Sequence, residues 1–158
     1  MQKLLLSLLI VSATLVAGCT TSARVQSEYK LPQGEKFSFQ VTAPTNVSAE
    51  ARQIFDERLR GQLAGGSLLA GSSDVNARSL EIAVTTYNMR HGAARALLGI
   101  LAGSDDMQST VKVRDRGTGA VLSEFSVESR NSTAWGTSKG MIEDQADKIV
   151  ETLKGGKK

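Results

Sequence analysis

The chain is poor in the residue types from which catalytic and metal sites are usually built. Its 158 residues include one histidine, His91, and one cysteine, Cys19, and aromatic residues make up only 4% of the sequence. A serine or cysteine nucleophile needs a neighbouring base, and a zinc site needs several His, Cys or carboxylate ligands. Asp105 and Asp106 could offer oxygens to calcium, but no repeated aspartates surround them, so we interpret the pair as turn residues. We therefore expect no catalytic activity, no metal and no cofactor.

A strong charge of one sign is missing as well. The formal net charge is +3 at pH 7, and the lysines and arginines form no basic run. Such a small and dispersed charge does not predict nucleic-acid binding. A single cysteine allows no internal disulfide, so the hydrophobic core must stabilise the domain by itself. Beyond the first residues, no apolar run approaches the roughly twenty residues of a membrane-spanning helix.

The amino-terminal residues have the pattern of an export signal. Lys3 is followed by the apolar stretch 4–16, about a dozen residues and too short to span a bilayer as a helix. The next residues, Leu15-Val16-Ala17-Gly18-Cys19, resemble the lipobox of bacterial lipoproteins. The resemblance implies that residues 1–18 are a signal peptide, that cleavage occurs before Cys19, and that Cys19 carries a diacylglycerol thioether and an acylated (palmitoylated) amino group. Thr20 is not the aspartate that often retains such lipoproteins at the inner membrane, so we expect the periplasmic face of the outer membrane.

Composition divides the rest of the chain into three parts. Residues 19–35 contain few apolar side chains together with Pro32 and Gly34, which predicts a flexible tether behind the lipid. Residues 36–155 have the length of one ordinary domain. Residues 156–158 are predicted to be a frayed tail.

Periodicity within residues 36–155 predicts both strands and helices. Apolar residues alternate with polar ones in four stretches and recur every three or four residues in two others. The predicted strands are 36–42, 79–90, 107–115 and 121–127, and the predicted long helices are 48–64 and 138–153. We therefore expect an α+β two-layer sandwich, with about four mostly antiparallel strands and two long helices on one face. Its element order would be β-α-β-(short apolar helix)-β-β-α.

The last two strands should form a hairpin through a three-residue loop, 117–119, with Gly119 in the left-handed region. This register places Lys112 opposite Glu124 and Asp115 opposite Val121. It gathers five apolar residues on one face: Val111, Val113, Val121, Phe125 and Val127.

Residues 92–103 are apolar on every side and are interrupted only by Arg95 and Gly99. We favour a short buried helix or packed loop, but an exposed contact with lipid or another subunit remains open, because Gly99 and Gly103 would permit close backbone approach. Trp135 likewise either covers one end of the core or anchors a partner. The candidate partner or membrane contacts are Leu97, Leu98, Ile100, Leu101 and Trp135.

Several motifs resemble a family of proteobacterial lipoproteins that is catalogued only as a domain of unknown function. They are Leu63-Ala64-Gly65, the run from Ala96 to Gly103, Val111-Lys112-Val113-Arg114-Asp115 and Thr118-Gly119-Ala120-Val121-Leu122. The element order is more distantly similar to the lipoproteins that activate penicillin-binding proteins and that secrete curli, although this chain lacks the long amphipathic strands of a pore. The resemblance implies a non-enzymatic, lipid-anchored periplasmic protein that binds an envelope protein partner or associates with itself. A small-ligand or peptidoglycan-binding module is the alternative.

Overall fold

The computed structural model describes residues 19–90, 103–132 and 137–155, and these residues form an α+β domain. Within these ranges the strands are β1 (Thr20–Ser27), β2 (Phe37–Thr42), β3 (Arg78–Asn88), β4 (Asp105–Arg114) and β5 (Val121–Asn131), and the helices are α1 (Ala49–Gly65) and α2 (Ser138–Leu153). The predicted signal peptide, the predicted short apolar helix and the predicted tail lie outside the described residues. The α+β class and the two long helices are confirmed, whereas the strand number must be corrected from about four to five.

The five strands form one sheet in the order β1-β5-β4-β3-β2. β2 and β3 are parallel, because α1 connects them and carries the chain back to the starting end. The other three pairs are antiparallel. The sheet is therefore mixed, with two edge strands, β1 and β2, at opposite sides.

The fifth strand, β1, replaces eight of the residues in the tether that composition predicted for residues 19–35. It pairs with β5 from Thr20 opposite Arg130 to Ser27 opposite Glu124. The tether prediction was wrong because it weighed the low apolar content and overlooked the alternation: Ala23 and Val25 pack against the core, while Ser22 and Arg24 are exposed. Small side chains suffice to hold β1 in the sheet, because its backbone also forms a ladder of hydrogen bonds with β5.

Both helices cover the same face of the sheet, and each begins after a hydroxyl side chain that caps it. The Ser48 hydroxyl accepts from the Ala51 amide at 3.1 Å, and the Thr137 hydroxyl accepts from the Gly140 amide at 3.0 Å. Each helix buries one apolar stripe, and Arg58 joins the two through a bidentate pair with Asp147 at 2.7 Å. The buried helical residues are Ala51, Phe55, Leu59 and Leu63 of α1 and Met141, Ile142, Gln145, Ala146, Ile149, Val150 and Leu153 of α2.

The β4–β5 hairpin has the predicted register except beside the turn. Lys112 lies opposite Glu124, and Gly119 has a φ of +72°. The register then shifts by one residue, so that Val121 pairs with Arg114 and the Asp115 amide donates to the Ala120 carbonyl at 2.9 Å. This bulge turns Val121 and Leu122 outward, 44% and 37% exposed, so the expected core position of Val121 was wrong.

Candidate functional site

Cys19 and the two connections that contain the predicted contact residues start from the same end of the sheet. Cys19 is exposed and directly precedes β1, whose first residue pairs with Arg130. The end of β3 and the start of β4 lie beside the end of β5, since Asn88 pairs with Asp106 and Asp105 pairs with Asn131. We call this the Cys19 end, formed by residue 19 and the connections 43–48, 89–104 and 132–137. The opposite hairpin end consists of the connections 28–36, 66–77 and 115–120.

A buried ion pair fixes the Cys19 end. The side chains of Arg90 and Asp105 are 5% and 0% exposed, and Arg90 Nη2 lies 3.1 Å from Asp105 Oδ2. Arg90 also donates from Nε and from its own amide to Asp105 Oδ1, at 3.2 and 2.7 Å. A buried charge that lost this partner would remain without compensation, at a cost of roughly 3–5 kcal/mol.

The same arginine ties three segments together. Arg90 Nη1 donates to the Gly103 carbonyl at 2.7 Å, and Nη2 donates to the Asn131 carbonyl at 3.0 Å. The Arg90 side chain therefore joins both ends of the 89–104 connection to Asn131, the residue that precedes the 132–137 connection. The sequence analysis missed this ion pair, because it interpreted Asp105 as a turn residue, whereas Asp105 is the buried first residue of β4.

The predicted contact residues lie in the 89–104 and 132–137 connections. The ion pair of Arg90 and Asp105 holds the described ends of these connections together. Leu97, Leu98, Ile100, Leu101 and Trp135 lie outside the described residues, as does His91. Whether residues 92–103 are buried or form a contact therefore remains a prediction. The structure does establish that both connections leave from the end of the sheet that carries Cys19.

A second buried network holds β1 to the rest of the sheet. Gln145 of α2 is fully buried; its Nε2 donates to Ser109 Oγ at 3.1 Å and to the Val127 carbonyl at 2.9 Å. Its Oε1 accepts from Ser129 Oγ at 2.5 Å, and Ser129 Oγ lies 2.9 Å from Thr21 Oγ1 of β1. The sequence held a signal for this residue, since position 145 falls between Ile142 and Ile149 on the apolar stripe of α2.

The hairpin end carries a more open polar cluster. Tyr29 donates to Glu35 Oε2 at 3.0 Å, Glu35 Oε1 lies 3.1 Å from Arg78 Nε, and Arg78 also pairs with Asp115. Burial, followed by the hydrogen bond to Glu35 and its negative charge, raises the pKa of Tyr29 to about 12. The cluster joins the 28–36 connection to the start of β3 and to the hairpin, so its members are occupied in holding loops.

No group of three or more His, Cys, Asp or Glu side chains that could hold a metal occurs in residues 19–90, 103–132 and 137–155. Over the same described part of the chain, neither helix combines the length and the apolarity needed to cross a bilayer.

The fold and the Cys19 end define a class of protein: a small α+β domain whose edge strand starts at an exposed cysteine. The chain belongs to the family described as Domain of unknown function (DUF4410), whose model matches residues 20–136. The match starts at the first residue of β1, which agrees with β1 being part of the domain.

Solved structures with a similar fold come from PelC of Paraburkholderia phytofirmans. A leucine-to-methionine variant of the PelC dodecamer has a TM-score of 0.61 at 18% identity, covering 85% of this chain and 98% of that chain. A second crystal form of the PelC dodecamer gives 0.58 at 17% identity, with the same coverage. A candidate lipoprotein from Caulobacter crescentus gives 0.45 at 14% identity, covering 74% of this chain and 88% of that chain, which is too weak to support an argument. Among curated proteins, none matches this chain.

Proposed function

We propose that this chain is a non-catalytic lipoprotein, anchored through Cys19 to the periplasmic face of the outer membrane, that assembles with an envelope protein partner, including copies of itself. The observation that carries the proposal is the position of Cys19. The cysteine of the lipobox-like stretch stands at the start of an edge strand, at the end of the sheet from which the apolar connection also leaves. Lipid and contact segments would then act at one end of the molecule.

Self-association is supported by the neighbours that share this fold, because the PelC structures are dodecamers. A head-to-tail contact between copies requires two different surfaces on each subunit that fit one another. The sheet offers two edges: within the described residues the outer edge of β1 is paired with no other strand, and that of β2 is bridged only at Phe37, to Leu69. These edges lie at opposite sides of the sheet, as a head-to-tail contact requires.

A non-catalytic role is supported by how the buried polar groups are used. The two most buried charges, Arg90 and Asp105, neutralise each other, and the Gln145 amide is committed to Ser109, Ser129 and the Val127 carbonyl. These contacts hold segments of the chain in place.

Binding of a small ligand or of peptidoglycan remains the alternative. The open face of the sheet has a depression of about 300 Å³, lined among others by Gln40, Thr110 and Lys112. Two of its charged residues, Arg114 and Glu81, already pair with each other at 2.7 Å. A ligand would therefore have to compete with this pair.

The contact residues can be tested by Leu97→Asp, with Leu122→Asp as a control at the exposed hairpin end. Sedimentation and thermal unfolding should be measured on the unlipidated domain, together with co-purification of two differently tagged copies from cells. If residues 92–103 form a contact, Leu97→Asp keeps its melting temperature and the tagged copies separate, while Leu122→Asp leaves them together. If the segment is buried, Leu97→Asp unfolds the domain, because an unpaired buried charge costs several kcal/mol of a total of roughly 5–15. A wild-type protein that is monomeric and captures no partner in cells would contradict the assembly proposal.

A further inference from the structure

The outer edge of β2 keeps free backbone groups beyond its first residue. The Phe37 amide donates to the Leu68 carbonyl at 2.7 Å, and the Phe37 carbonyl accepts from the Ala70 amide at 2.9 Å. The backbone groups of Phe37 therefore point away from β3. Because this direction alternates along a strand, those of Phe39 and Val41 point outward as well, and within the described residues they pair with no other strand.

The outer edge of β1 has backbone groups of the same kind. The Glu124 amide donates to a serine hydroxyl of β1 at 2.8 Å, so the backbone of Glu124 faces β1, and by alternation that of Ser126 does too. Ser126 pairs with Arg24, whose backbone therefore faces β5. The backbone groups on either side, those of Ala23 and Val25, point outward. This regular stretch ends after Val25, where the register of the β1–β5 pair shifts.

The two outer edges also agree in how their side chains alternate. On the side that the helices cover, Ala23 and Val25 of β1 and Phe39 and Val41 of β2 are partly buried hydrophobic residues. The exposed side chains of the open side are polar in both strands: Ser22 and Arg24 in β1, and Gln40 and Thr42 in β2. A pair between the two edges would therefore place apolar beside apolar and polar beside polar residues.

The strand directions suit such a pair. β1 and β4 are both antiparallel to β5, β3 is antiparallel to β4, and β2 is parallel to β3, so β1 runs opposite to β2. Copies that are related by rotation about an axis along the strands keep their strands in the same direction. β1 of one copy then meets β2 of the next as an antiparallel pair, the arrangement that is slightly more stable per residue than a parallel one.

Neither stretch carries the features that usually prevent edge pairing. Natural proteins protect exposed edges with charged side chains, proline or a bulge. β2 contains no charged residue and no proline, and β1 contains one charged residue, Arg24. The register shift of β1 lies beyond Val25 and leaves the stretch before it regular.

A groove of about 350 Å³ beside β2 leaves room for an added strand. It is lined by Val41, Ala43, Arg52, Gln53 and Asp56. Its charged side chains already have partners in their own chain, since Arg52 Nη2 donates to the Pro44 carbonyl at 3.0 Å and Asp56 pairs with Arg60 at 3.3 Å. The side chains that β1 presents on the helix-covered side are small, which suits a groove of this size.

We infer that the outer edge of β1 in one copy pairs with the outer edge of β2 in the next, in the antiparallel register that places Ala23 opposite Val41 and Val25 opposite Phe39. The inference rests on the proposed self-association and identifies its surface. Sliding β1 by two residues one way would place Val25 opposite Phe37, whose backbone is already bonded. Sliding it the other way would place Phe39 opposite the irregular end of β1. In the inferred register the sheet continues from copy to copy.

The same register gives Arg24 suitable neighbours. Arg24 would face Gln40 on the open side, and the next residue in that row of the sheet is Glu81. Glu81 is 45% exposed and meets Arg114 through Oε2 at 2.7 Å, and Lys112 lies one strand farther. A carboxylate can accept from more than one arginine, so Glu81 can also meet the arginine of the neighbouring copy.

Disulfide crosslinking tests this register in the full-length protein in the bacterial envelope. Two differently tagged copies are expressed together, one with Arg24→Cys and the other with Gln40→Cys. These residues would form a non-hydrogen-bonded pair with Cα atoms about 4.5 Å apart, within reach of a disulfide. The matched control is Ser22→Cys with Gln40→Cys, on the same strands and face but displaced by two residues, about 7–8 Å apart. Non-reducing electrophoresis should show the mixed-tag dimer for the 24–40 pair, several-fold above the 22–40 pair, and each single variant alone reports crosslinks that involve Cys19.

Val41→Pro tests the same pairing without a crosslink. Proline removes an outward N–H and leaves the hydrogen bonds between β2 and β3 in place, so the melting temperature should change little. Co-purification of the tagged copies should fall about tenfold or more, because a hydrogen bond of the junction is lost.

The outcomes separate this inference from the proposed self-association. A 24–40 yield no higher than the 22–40 yield, or unchanged co-purification of folded Val41→Pro, would overturn the inferred register while the copies still associate. If Val41→Pro unfolds, the cysteine pairs alone decide. Wild-type copies that do not co-purify at all would overturn both the register and the self-association.

Discussion

Each end of the sheet has an arginine that pairs with carboxylates, but the two pairs differ greatly in burial. At the Cys19 end the side chains of Arg90 and Asp105 are 5% and 0% exposed, whereas at the hairpin end those of Arg78 and Asp115 are 29% and 25% exposed. Water can replace a lost partner at an exposed pair but not at a buried one. Removing one partner should therefore cost much more stability at the Cys19 end than at the hairpin end.

This difference in burial agrees with the role that we propose for each end of the sheet. The Cys19 end must hold two connections beside a lipid anchor, and a buried clamp fixes their bases in one arrangement. The hairpin end must only close loops in water, and an open network with charges of both signs is sufficient there.

The largest effect is expected from Asp105→Ala, because Arg90 would remain buried without its carboxylate. Unfolding in urea should show a loss of roughly 3–5 kcal/mol. The control, Asp115→Ala at the hairpin end, should lose only about 1–2 kcal/mol: water reaches Arg78, and the further loss is that of the hydrogen bonds that Asp115 accepts from the Gly117 and Thr118 amides. Equal losses for the two variants would contradict the comparison.

The double substitution Arg90→Met with Asp105→Leu removes both charges of this pair and keeps the side-chain volumes similar. An apolar pair of similar volume leaves no buried charge, so most of the stability lost in Asp105→Ala should return. Stability that stayed as low as in the single variant would show that the hydrogen bonds to Gly103 and Asn131 matter more than the charge pair.

Gln145→Met tests the buried hydrogen-bond network of Gln145, which lies between the two ends of the sheet. Methionine keeps the volume but leaves Ser109 and the Val127 carbonyl without a partner, so the free energy of unfolding should fall by about 1–3 kcal/mol. Gln53→Met on the exposed surface of α1 is the matched control and should change stability by less than about 0.5 kcal/mol. If Gln145→Met were neutral, the network would not be needed to hold β1.

Gly119→Val probes the backbone of the hairpin end. Its φ of +72° strains any side chain with a Cβ atom, and the loss should be about 1 kcal/mol or more. Gly117→Val, in the same turn but outside the left-handed region, is the control. An unchanged melting temperature for Gly119→Val would count against the observed turn.

The smallest effect concerns pH at the hairpin end. The pKa of Tyr29 is raised to about 12, above the ordinary value of 10.0, so the unfolded chain loses this proton before the folded chain does. The contribution of Tyr29 is therefore complete below pH 10 and is lost as the pH rises toward 12. Tyrosinate absorbance and urea stability between these values should show a larger loss in the wild type than in Tyr29→Phe, where Tyr87, whose pKa burial also raises, still titrates. Identical curves for the two proteins would refute the prediction.

How much of this structure could be predicted depended on the strength of each local pattern. α1, α2 and the strands β2 to β5 were predictable because their large apolar residues recur at the helical or the strand period. β1 was not, because its inward-facing residues, such as Ala23 and Val25, are small, and their burial depends on β5, which lies about a hundred positions away in the chain. Local composition cannot detect such long-range pairing.

The site was predictable only in part for a similar reason. The lipobox-like stretch and the apolar connection are local patterns, and both are visible in the sequence. The ion pair between Arg90 and Asp105 joins residues on either side of that connection, and an aspartate before a polar stretch is commoner as a turn residue than as a buried partner. Nor could the sequence show that Cys19 and both connections meet at one end, since this follows from the strand order.

The proposed membrane anchor depends most directly on the chemical state of Cys19. Intact-mass measurement of the full-length protein expressed in a bacterial host and extracted from its membranes tests this state, with Cys19→Ser as the control. We expect a chain that starts at Cys19 and carries a diacylglycerol and an amide-linked acyl group, while the serine variant keeps its first residues and carries no lipid. A mature wild-type protein with a free Cys19 thiol, or one that remains membrane-bound after Cys19→Ser and removal of residues 1–18, would contradict it.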